Sequence, residues 1–211
     1  WLSKDLGQSI LLTGSWVATV FISGVSLSFI TIFLLFFLAL FISLLFFLPE
    51  KFGYITNRLI SFFDTSQGDK FQSSSALDAI KLGGLTGQGM GEGVLKDSVP
   101  EAHTDYVIAV ISEEYGSLVS VAIIMIFLYI SLRIVKNIFS QDNEFLKFAL
   151  GGLASLLIFQ TFIHAGVNTN LLPTTGMTLP FLSYGGSSLI GSAIIAGLIL
   201  NYTKNKAYLY D

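Results

Sequence analysis

The charged residues of this chain are confined to a few segments, and long uncharged runs lie between them. Asp, Glu, Lys and Arg are absent from residues 6–49, 115–132 and 148–203. The hydrocarbon core of a bilayer is about 30 Å thick and is crossed by about 20 apolar helical residues. The pattern therefore predicts five membrane-spanning helices, near residues 6–24, 26–48, 107–132, 148–170 and 187–203.

The first run must contain two helices, because a single helix of that length would extend about 66 Å. Gly24, Val25 and Ser26 are predicted to form the turn between them. Alternation of five spans then places Asp5 and the loops 50–105 and 171–186 on one side of the membrane. The other side carries five basic residues in two short segments, which is typical of the cytoplasmic face. These residues are Arg133, Lys136, Lys147, Lys204 and Lys206.

Composition supports this all-α interpretation, a polytopic bundle of transmembrane helices. The chain is 53% hydrophobic and 12% charged, with a mean hydropathy of +0.73, which excludes an ordinary soluble domain. The absence of cysteine excludes disulfides and thiol catalysis. Residues 1–211 are expected to form one transmembrane domain with a large extracytoplasmic loop at 50–105. The chain starts at Trp1 without a signal peptide and is expected to be a piece of a longer protein.

Candidate chemistry is concentrated where the large loop meets the third predicted span. Residues 100–105 read Pro-Glu-Ala-His-Thr-Asp and carry three ionisable groups at the boundary between water and hydrocarbon. This is the usual position for chemistry on a lipid-linked substrate. Thr104 is predicted to cap the following helix, and the helix dipole would stabilise Asp105 there.

Glu113 and Glu114 are predicted to lie about two helical turns inside that span. Carboxylates are costly within a membrane and usually face an interior cavity. The helical rotation of 100° per residue lets at most one of the two face the same cavity as Asp105.

A glycine-rich segment precedes this region, with six glycines in the eleven residues 83–93, after a short interfacial helix predicted around 77–80. The glycine spacing does not match a dinucleotide fingerprint, and no Gly-Lys-Ser/Thr follows. Two interpretations remain open. The segment is either a permissive turn on the membrane surface or a set of backbone amides that bind a polar headgroup or pyrophosphate.

Two further features lie near the fourth and fifth spans. Gln160, His164 and Asn168 recur every four residues and form one polar stripe, which favours hydrogen bonding between helices over a ligand site or proton relay. The loop 171–188 contains two prolines and three glycines, so its backbone must be buried in protein or line a wet cavity. We expect it to fold against the Asp105 region and form a wall of an outer cavity.

Together these motifs resemble the SEDS family, the shape, elongation, division and sporulation proteins, and most closely its cell-division members. Four stretches carry the resemblance in family order across nearly the whole chain. They are residues 5–9 (Asp-Leu-Gly-Gln-Ser), 83–93, 100–105 with 113–116 (Glu-Glu-Tyr-Gly), and 172–188.

The resemblance implies a bundle of ten transmembrane helices, of which this chain would supply the last five. It also implies polymerisation of lipid II, an undecaprenyl-pyrophosphate-linked disaccharide-peptide, at the outer face of the bacterial cytoplasmic membrane. The implied protein partner is a class B penicillin-binding transpeptidase, and no nucleic acid partner is expected. The family's essential aspartate corresponds to Asp105.

The chemistry suits these residue types. A sugar 4-hydroxyl attacks the anomeric carbon of a second lipid II, so Asp105 is predicted to act as general base. Negative charge on the departing pyrophosphate would be stabilised by cations or a divalent metal ion. Arg58 and Lys96 are the candidate cations, with a solvated surface charge as the equally weighted alternative. The predicted substrate-binding set is completed by Glu101, His103, Ser183, Gly185 and Gly186.

Two other classes of function remain open. The same cavity and broken backbone would serve a lipid II transporter that flips its substrate without forming a bond. A structural scaffold for division proteins is the third interpretation, and it leaves Glu113 and Glu114 without a purpose. All the motifs lie on the predicted outer side, which favours an enzyme.

Overall fold

A computed structural model of the chain describes residues 6–47, 53, 55–57, 60, 69–95, 99 and 101–204. Every regular element within these residues is helical, which confirms the predicted all-α class. In chain order the helices are α1 Leu6–Ile22, α2 Leu27–Phe47, α3 Asp69–Gly83, α4 Val107–Tyr115, α5 Ser117–Phe139, α6 Glu144–Asn168 and α7 Gly186–Thr203.

Four of these helices, α2, α5, α6 and α7, are long and apolar enough to cross a membrane, and α1 is a shorter apolar helix. The predicted turn between α1 and α2 is confirmed, with Gly24 at a φ of 86°. A helix is also present at residues 77–80, as predicted, and forms part of α3. Its interfacial position stays a prediction. The chain is a multi-pass membrane protein.

The third span was predicted at 107–132, and that position is wrong. The chain breaks at Gly116, whose φ of 91° favours glycine, so that α4 ends at Tyr115 and the long apolar helix α5 begins at Ser117. The hydroxyl of Ser120 on α5 lies 2.7 Å from that of Ser112 on α4 and donates to the carbonyl of Ile108. The nine-residue helix α4 therefore packs beside the first turn of α5 instead of continuing it.

Helix α6 lies at the centre of the bundle and contacts α1, α5 and α7. Small residues allow α1 to approach it closely. A side chain at Gly151 would overlap Ile22, and one at Gly14 would meet the ring of Phe159 at 3.3 Å. Small residues at helix crossings are typical of membrane bundles, where close packing of the backbones stabilises association.

Two separate cores lie at opposite ends of α6. One unites α5, α6 and α7 through Ile134, Ile138, Leu150, Ala154 and Ile199. The other surrounds the end of α6 and joins it to α1, α3, α4 and two loops, with members that include Tyr106, Ala109, Ile163, Val167 and Met177. The segments 101–106 and 171–185 therefore lie at one end of the bundle and the 140–143 turn at the other, as the alternation of spans predicted.

Candidate active site

Residues 101–106 form a tight turn before α4. Glu101 has a positive φ of 55°, and its carbonyl accepts hydrogen bonds from the backbone N–H groups of Thr104 (3.1 Å) and Asp105 (3.0 Å). The Thr104 hydroxyl donates to the Glu101 carboxylate at 2.8 Å. The predicted helix cap at Thr104 is therefore wrong. The hydroxyl closes the turn, and α4 begins after Tyr106, which supplies no side-chain cap.

The loop between α6 and α7 closes over this turn, which confirms the predicted contact between the two motifs. The Ser183 hydroxyl donates to the Thr104 carbonyl at 2.6 Å and accepts from the Leu179 N–H at 2.7 Å. The Tyr184 N–H donates to the His103 carbonyl at 2.9 Å. Backbone groups that the prolines and glycines release from helical bonding thus find protein partners, as a segment at this depth requires.

Asp105 lies at the junction of these segments, and its side chain is half-buried. Its carboxylate faces Gly176 of the loop, where an added Cβ would lie 3.9 Å from Asp105 Oδ2. Gly176 has a φ of 70°, a backbone conformation that side chains disfavour. The loop therefore passes beside the carboxylate while leaving it partly accessible.

The backbone of Asp105 is fixed by α6. The side-chain amide of Asn168 donates to the Asp105 carbonyl at 2.9 Å, and its oxygen accepts from the Ala109 N–H at 3.1 Å. Two turns earlier on the same face, Gln160 donates to the Thr178 carbonyl at 2.9 Å. The interpretation of the polar stripe as hydrogen bonding between segments is confirmed for these two amides.

An open groove of about 700 Å³ runs beside the turn. Four of the predicted substrate-binding residues line it: His103, Ser183, Gly185 and Gly186. The remaining walls are the α4 residue Val107, the α7 residue Leu189 and the loop residues Phe181, Leu182 and Tyr184. Asp105 and Glu101 are outside this lining, although the Ser183 bond to Thr104 places the groove one residue from Asp105. The roles of these residues in binding stay predictions.

The glycine-rich segment wraps the carboxyl end of α4. The N–H groups of Gln88 and Gly89 donate to the carbonyls of Glu113 (2.8 Å) and Glu114 (3.1 Å), and the Ser117 N–H donates to the Gly84 carbonyl at 2.9 Å. The last carbonyls of a helix have no partner within it, and this segment provides one. These two amides are therefore engaged within the protein, which favours the structural interpretation of the segment.

Glu113 is fully buried beneath the same segment, where its Oε1 accepts the Leu95 N–H at 2.7 Å. Glu114 is partly buried. Both residues lie on α4, before the candidate span that begins at Ser117. The span that was predicted to contain them joined two helices that the break at Gly116 separates, and their depth in a membrane stays a prediction.

Arg58 and Lys96, the predicted cations, lie outside the residues that the structure describes. Within the described part of the chain, no group of three or more His, Asp or Glu side chains is arranged to hold a metal ion. The sequence did not predict the contact of Asn168 with Asp105. The sequence pattern that pointed to this contact was the four-residue period of the polar stripe. The period shows which face of the helix is polar, but it does not show which residue that face contacts.

Comparison with known proteins connects this architecture to named relatives. A protein named "Probable peptidoglycan glycosyltransferase FtsW" from Caulobacter vibrioides is 35% identical, and the match covers 99% of this chain and 53% of that protein. Stage V sporulation protein E of Bacillus subtilis is 33% identical, with 97% and 56% covered. The chain spans about half the length of the curated relatives it matches.

Among solved structures, a chain from a peptidoglycan synthase complex that coordinates polymerization and crosslinking is similar to the whole of this chain. The TM-score is 0.69 at 26% identity, and 58% of that chain is covered. Residues 1–208 match the family described as "Cell cycle protein", named for FtsW, RodA and SpoVE. The resemblance to the SEDS family is thereby confirmed, and this chain belongs to the FtsW/RodA/SpoVE family of cell cycle proteins.

Proposed function

We propose that the protein containing this chain is a peptidoglycan glycosyltransferase that polymerises lipid II into glycan strands during bacterial cell division. The observation that carries the proposal is the convergence of three segments on Asp105. The turn 101–106, the loop 171–185 and the end of α6 fix its backbone and leave its carboxylate half-buried beside a groove. Relatives named as glycosyltransferases support the same reaction class.

In the proposed reaction, Asp105 accepts the proton of a sugar 4-hydroxyl as that oxygen attacks the anomeric carbon of a second lipid II. The new glycosidic bond forms while the bond from the anomeric carbon to the pyrophosphate oxygen breaks, and the lipid pyrophosphate departs. A carboxylate held within hydrogen-bond reach typically contributes about 10²–10⁴-fold to such a rate. The rigid turn at Glu101 supports the fixed position that this role requires.

The groove suits a substrate with an anionic and an apolar part. Gly185 and Gly186 begin α7, and Gly185 supplies no side-chain cap to its first turn. An uncapped helix N-terminus favours anions such as pyrophosphate, because its N–H groups and dipole point toward the ligand. Exposed Phe181, Leu182 and Tyr184 provide apolar surface for the lipid. Arg58 and Lys96 are proposed to add positive charge.

We place the groove at the outer face of the bacterial cytoplasmic membrane. Basic residues near the opposite end of the bundle support this orientation, since cytoplasmic loops are enriched in Lys and Arg. Within the described chain these residues are Arg133, Lys136, Lys147 and Lys204. The similar chain from a peptidoglycan synthase complex supports a crosslinking partner, for which we propose a class B penicillin-binding transpeptidase.

The alternative is a lipid II transporter that forms no bond. The apolar core of the opposite end favours the enzyme because it offers no polar path between α5, α6 and α7 there. It is built from Ile134, Ile138, Leu150, Ala154 and Ile199. The hydrogen-bonding groups around Asp105 are concentrated at one end of α6.

The test is polymerisation of lipid II by the full-length protein with its cognate transpeptidase, followed by analysis of the glycan products. The wild type should yield polymer. Asp105→Asn should abolish it while leaving expression and partner binding intact, because the amide keeps the shape of the side chain and removes the base. A normal polymer yield from Asp105→Asn would remove Asp105 from the mechanism. Translocation without polymer from the wild type would favour the transporter.

A further inference from the structure

The Asn168 side chain makes an unusual number of contacts for one amide at the end of a membrane-spanning helix. It has no exposed surface. Its Nδ2 lies 2.9 Å from the Asp105 carbonyl, 2.9 Å from the His164 carbonyl and 3.3 Å from His164 Nδ1. Its Oδ1 accepts the Ala109 N–H at 3.1 Å. The amide therefore spans the start of α4 from Asp105 to Ala109.

The pattern of donors and acceptors admits one orientation of the amide. An amide nitrogen has two hydrogens, so one goes to Asp105 and the other is shared by the carbonyl and ring nitrogen of His164. In the flipped orientation Oδ1 would face two carbonyl oxygens, and Nδ2 would face the Ala109 N–H. A side chain with a donor and an acceptor at this spacing bonds to both Asp105 and Ala109.

Helix α4 itself lacks such a group. Tyr106 occupies the position before its first residue and gives no side-chain cap. The first N–H groups of a helix are commonly satisfied by a cap from the same chain segment. Here the Ala109 N–H is shared between the Tyr106 carbonyl at 2.9 Å and Asn168 Oδ1 at 3.1 Å, an acceptor that comes from α6, 59 residues away in sequence. The same amide holds the carbonyl of Asp105.

We propose that Asn168 is a positioning residue for Asp105, acting as a cap supplied from another helix that fixes the peptide of the general base. The inference rests on the proposed function, because it assigns Asn168 a part in the reaction through Asp105. Small displacements of a catalytic group can lower a rate by about 10²-fold. Asn168 therefore affects kcat. Binding of the substrate in the groove at His103 and Tyr184 does not depend on Asn168.

The test measures kcat and KM for lipid II with the full-length protein and its transpeptidase, normalised to folded complex. Asn168→Leu should lower kcat by about 100-fold with KM changed less than about threefold. Asn168→Asp has the same shape but sets oxygen against two carbonyls, so its kcat should fall at least as far. Loss of packing alone would instead make the isosteric Asp variant milder than the Leu variant, and that order would overturn the proposal.

Thr169→Val is the matched control, since within the described residues the Thr169 hydroxyl bonds only to its own helix, at Ala165 and Gly166. Its kcat should equal that of the wild type. Asp105→Asn is measured alongside. An active Asp105→Asn refutes the general base itself, whereas an inactive Asp105→Asn with fully active Asn168 variants refutes only the positioning role.

Hydrogen–deuterium exchange provides a readout besides activity. In Asn168→Leu the amides of 105–109 should exchange faster than in the wild type, while those of α5 stay protected. Asn168→Ser, too short to span Asp105 and Ala109 together, should show the same change if the Leu variant does not accumulate. Unchanged exchange at 105–109 in the variant that folds would overturn the inference.

Discussion

At the scale of single residues, the buried Glu113 fixes the glycine-rich segment against α4. Its carboxylate accepts the Leu95 N–H, and its own carbonyl accepts the Gln88 N–H, so a single residue of α4 bonds to the middle of the glycine-rich segment and to the chain just beyond it. A buried N–H that loses its acceptor costs about 1–3 kcal/mol.

We expect Glu113→Leu to lower the free energy of unfolding by about 1–3 kcal/mol, because the part-buried hydrogen bond from the Leu95 N–H to the carboxylate is lost. Glu113→Gln should cost less, since its amide oxygen can still accept that hydrogen bond. The measurement is thermal unfolding of the full-length protein in detergent, together with polymerisation. Glu92→Gln, on the exposed part of the same segment, is the control and should change little. A Glu113→Leu variant that folds and polymerises normally would show that the carboxylate is dispensable.

At the scale of elements, the main feature is the crossing between the glycine-rich segment and the break that separates α4 from α5. Gly87 and Gly116 face each other there with φ values of 83° and 91°. A Cβ on Gly87 would lie 2.6 Å from the Gly116 nitrogen, and a Cβ on Gly116 would lie 2.7 Å from the Gly87 nitrogen. Because the atoms in the way are backbone, neither segment can yield by a side-chain rotation.

Gly87→Ala is expected to destabilise the protein by more than Gly91→Ala. The two positions lie in the same segment and have nearly equal φ values, 83° and 82°, but a Cβ on Gly91 meets no described atom within 4 Å. Both variants carry the cost of a left-handed residue, about 1–2 kcal/mol, and only Gly87→Ala adds the overlap with α4. Thermal unfolding of both variants measures the difference. Equal melting temperatures would show that the close crossing is absent in the folded protein.

At the scale of the whole molecule, the two ends of the bundle differ in chemistry. One end carries the turn 101–106, the loop 171–185 and the hydrogen bonds that join them to α6. The other end is closed by an apolar core and carries the 140–143 turn, where Gln141 donates to the Tyr202 carbonyl at 3.4 Å. This asymmetry is what the proposed reaction at one membrane face requires.

This asymmetry predicts a defined orientation, which the absence of native cysteine makes simple to measure. Single variants Glu92→Cys and Asp142→Cys place a thiol at an exposed position near each end of the bundle. A membrane-impermeant maleimide should label Glu92→Cys in right-side-out vesicles and Asp142→Cys only in inverted vesicles. The reverse pattern would place the groove on the cytoplasmic face and contradict the proposed site of polymerisation.

The sequence by itself determined the apolar helices near 6–24, 26–48, 148–170 and 187–203, the turn at Gly24 and the meeting of the two loops. A membrane leaves backbone groups no water to bond, so an apolar run must be helical, and a segment broken by prolines and glycines must bond to protein. The loop 171–188 is therefore predicted to fold against the Asp105 region, and the hydrogen bonds of Ser183 and Tyr184 confirm this contact. The family motifs were likewise legible in the residues alone.

Only the tertiary structure decided where the third span starts and what holds Asp105. Residues 107–115 are as compatible with a continuous helix as with a separate one, and the break at Gly116 depends on contacts with Leu85 and Gly87, about thirty positions earlier. Thr104 has the right side chain for a cap, but the Glu101 carboxylate competes for its hydroxyl. The partner of Asn168 depends on how the end of α6 packs. Such choices are made between residues distant in sequence, whose contacts no local pattern specifies.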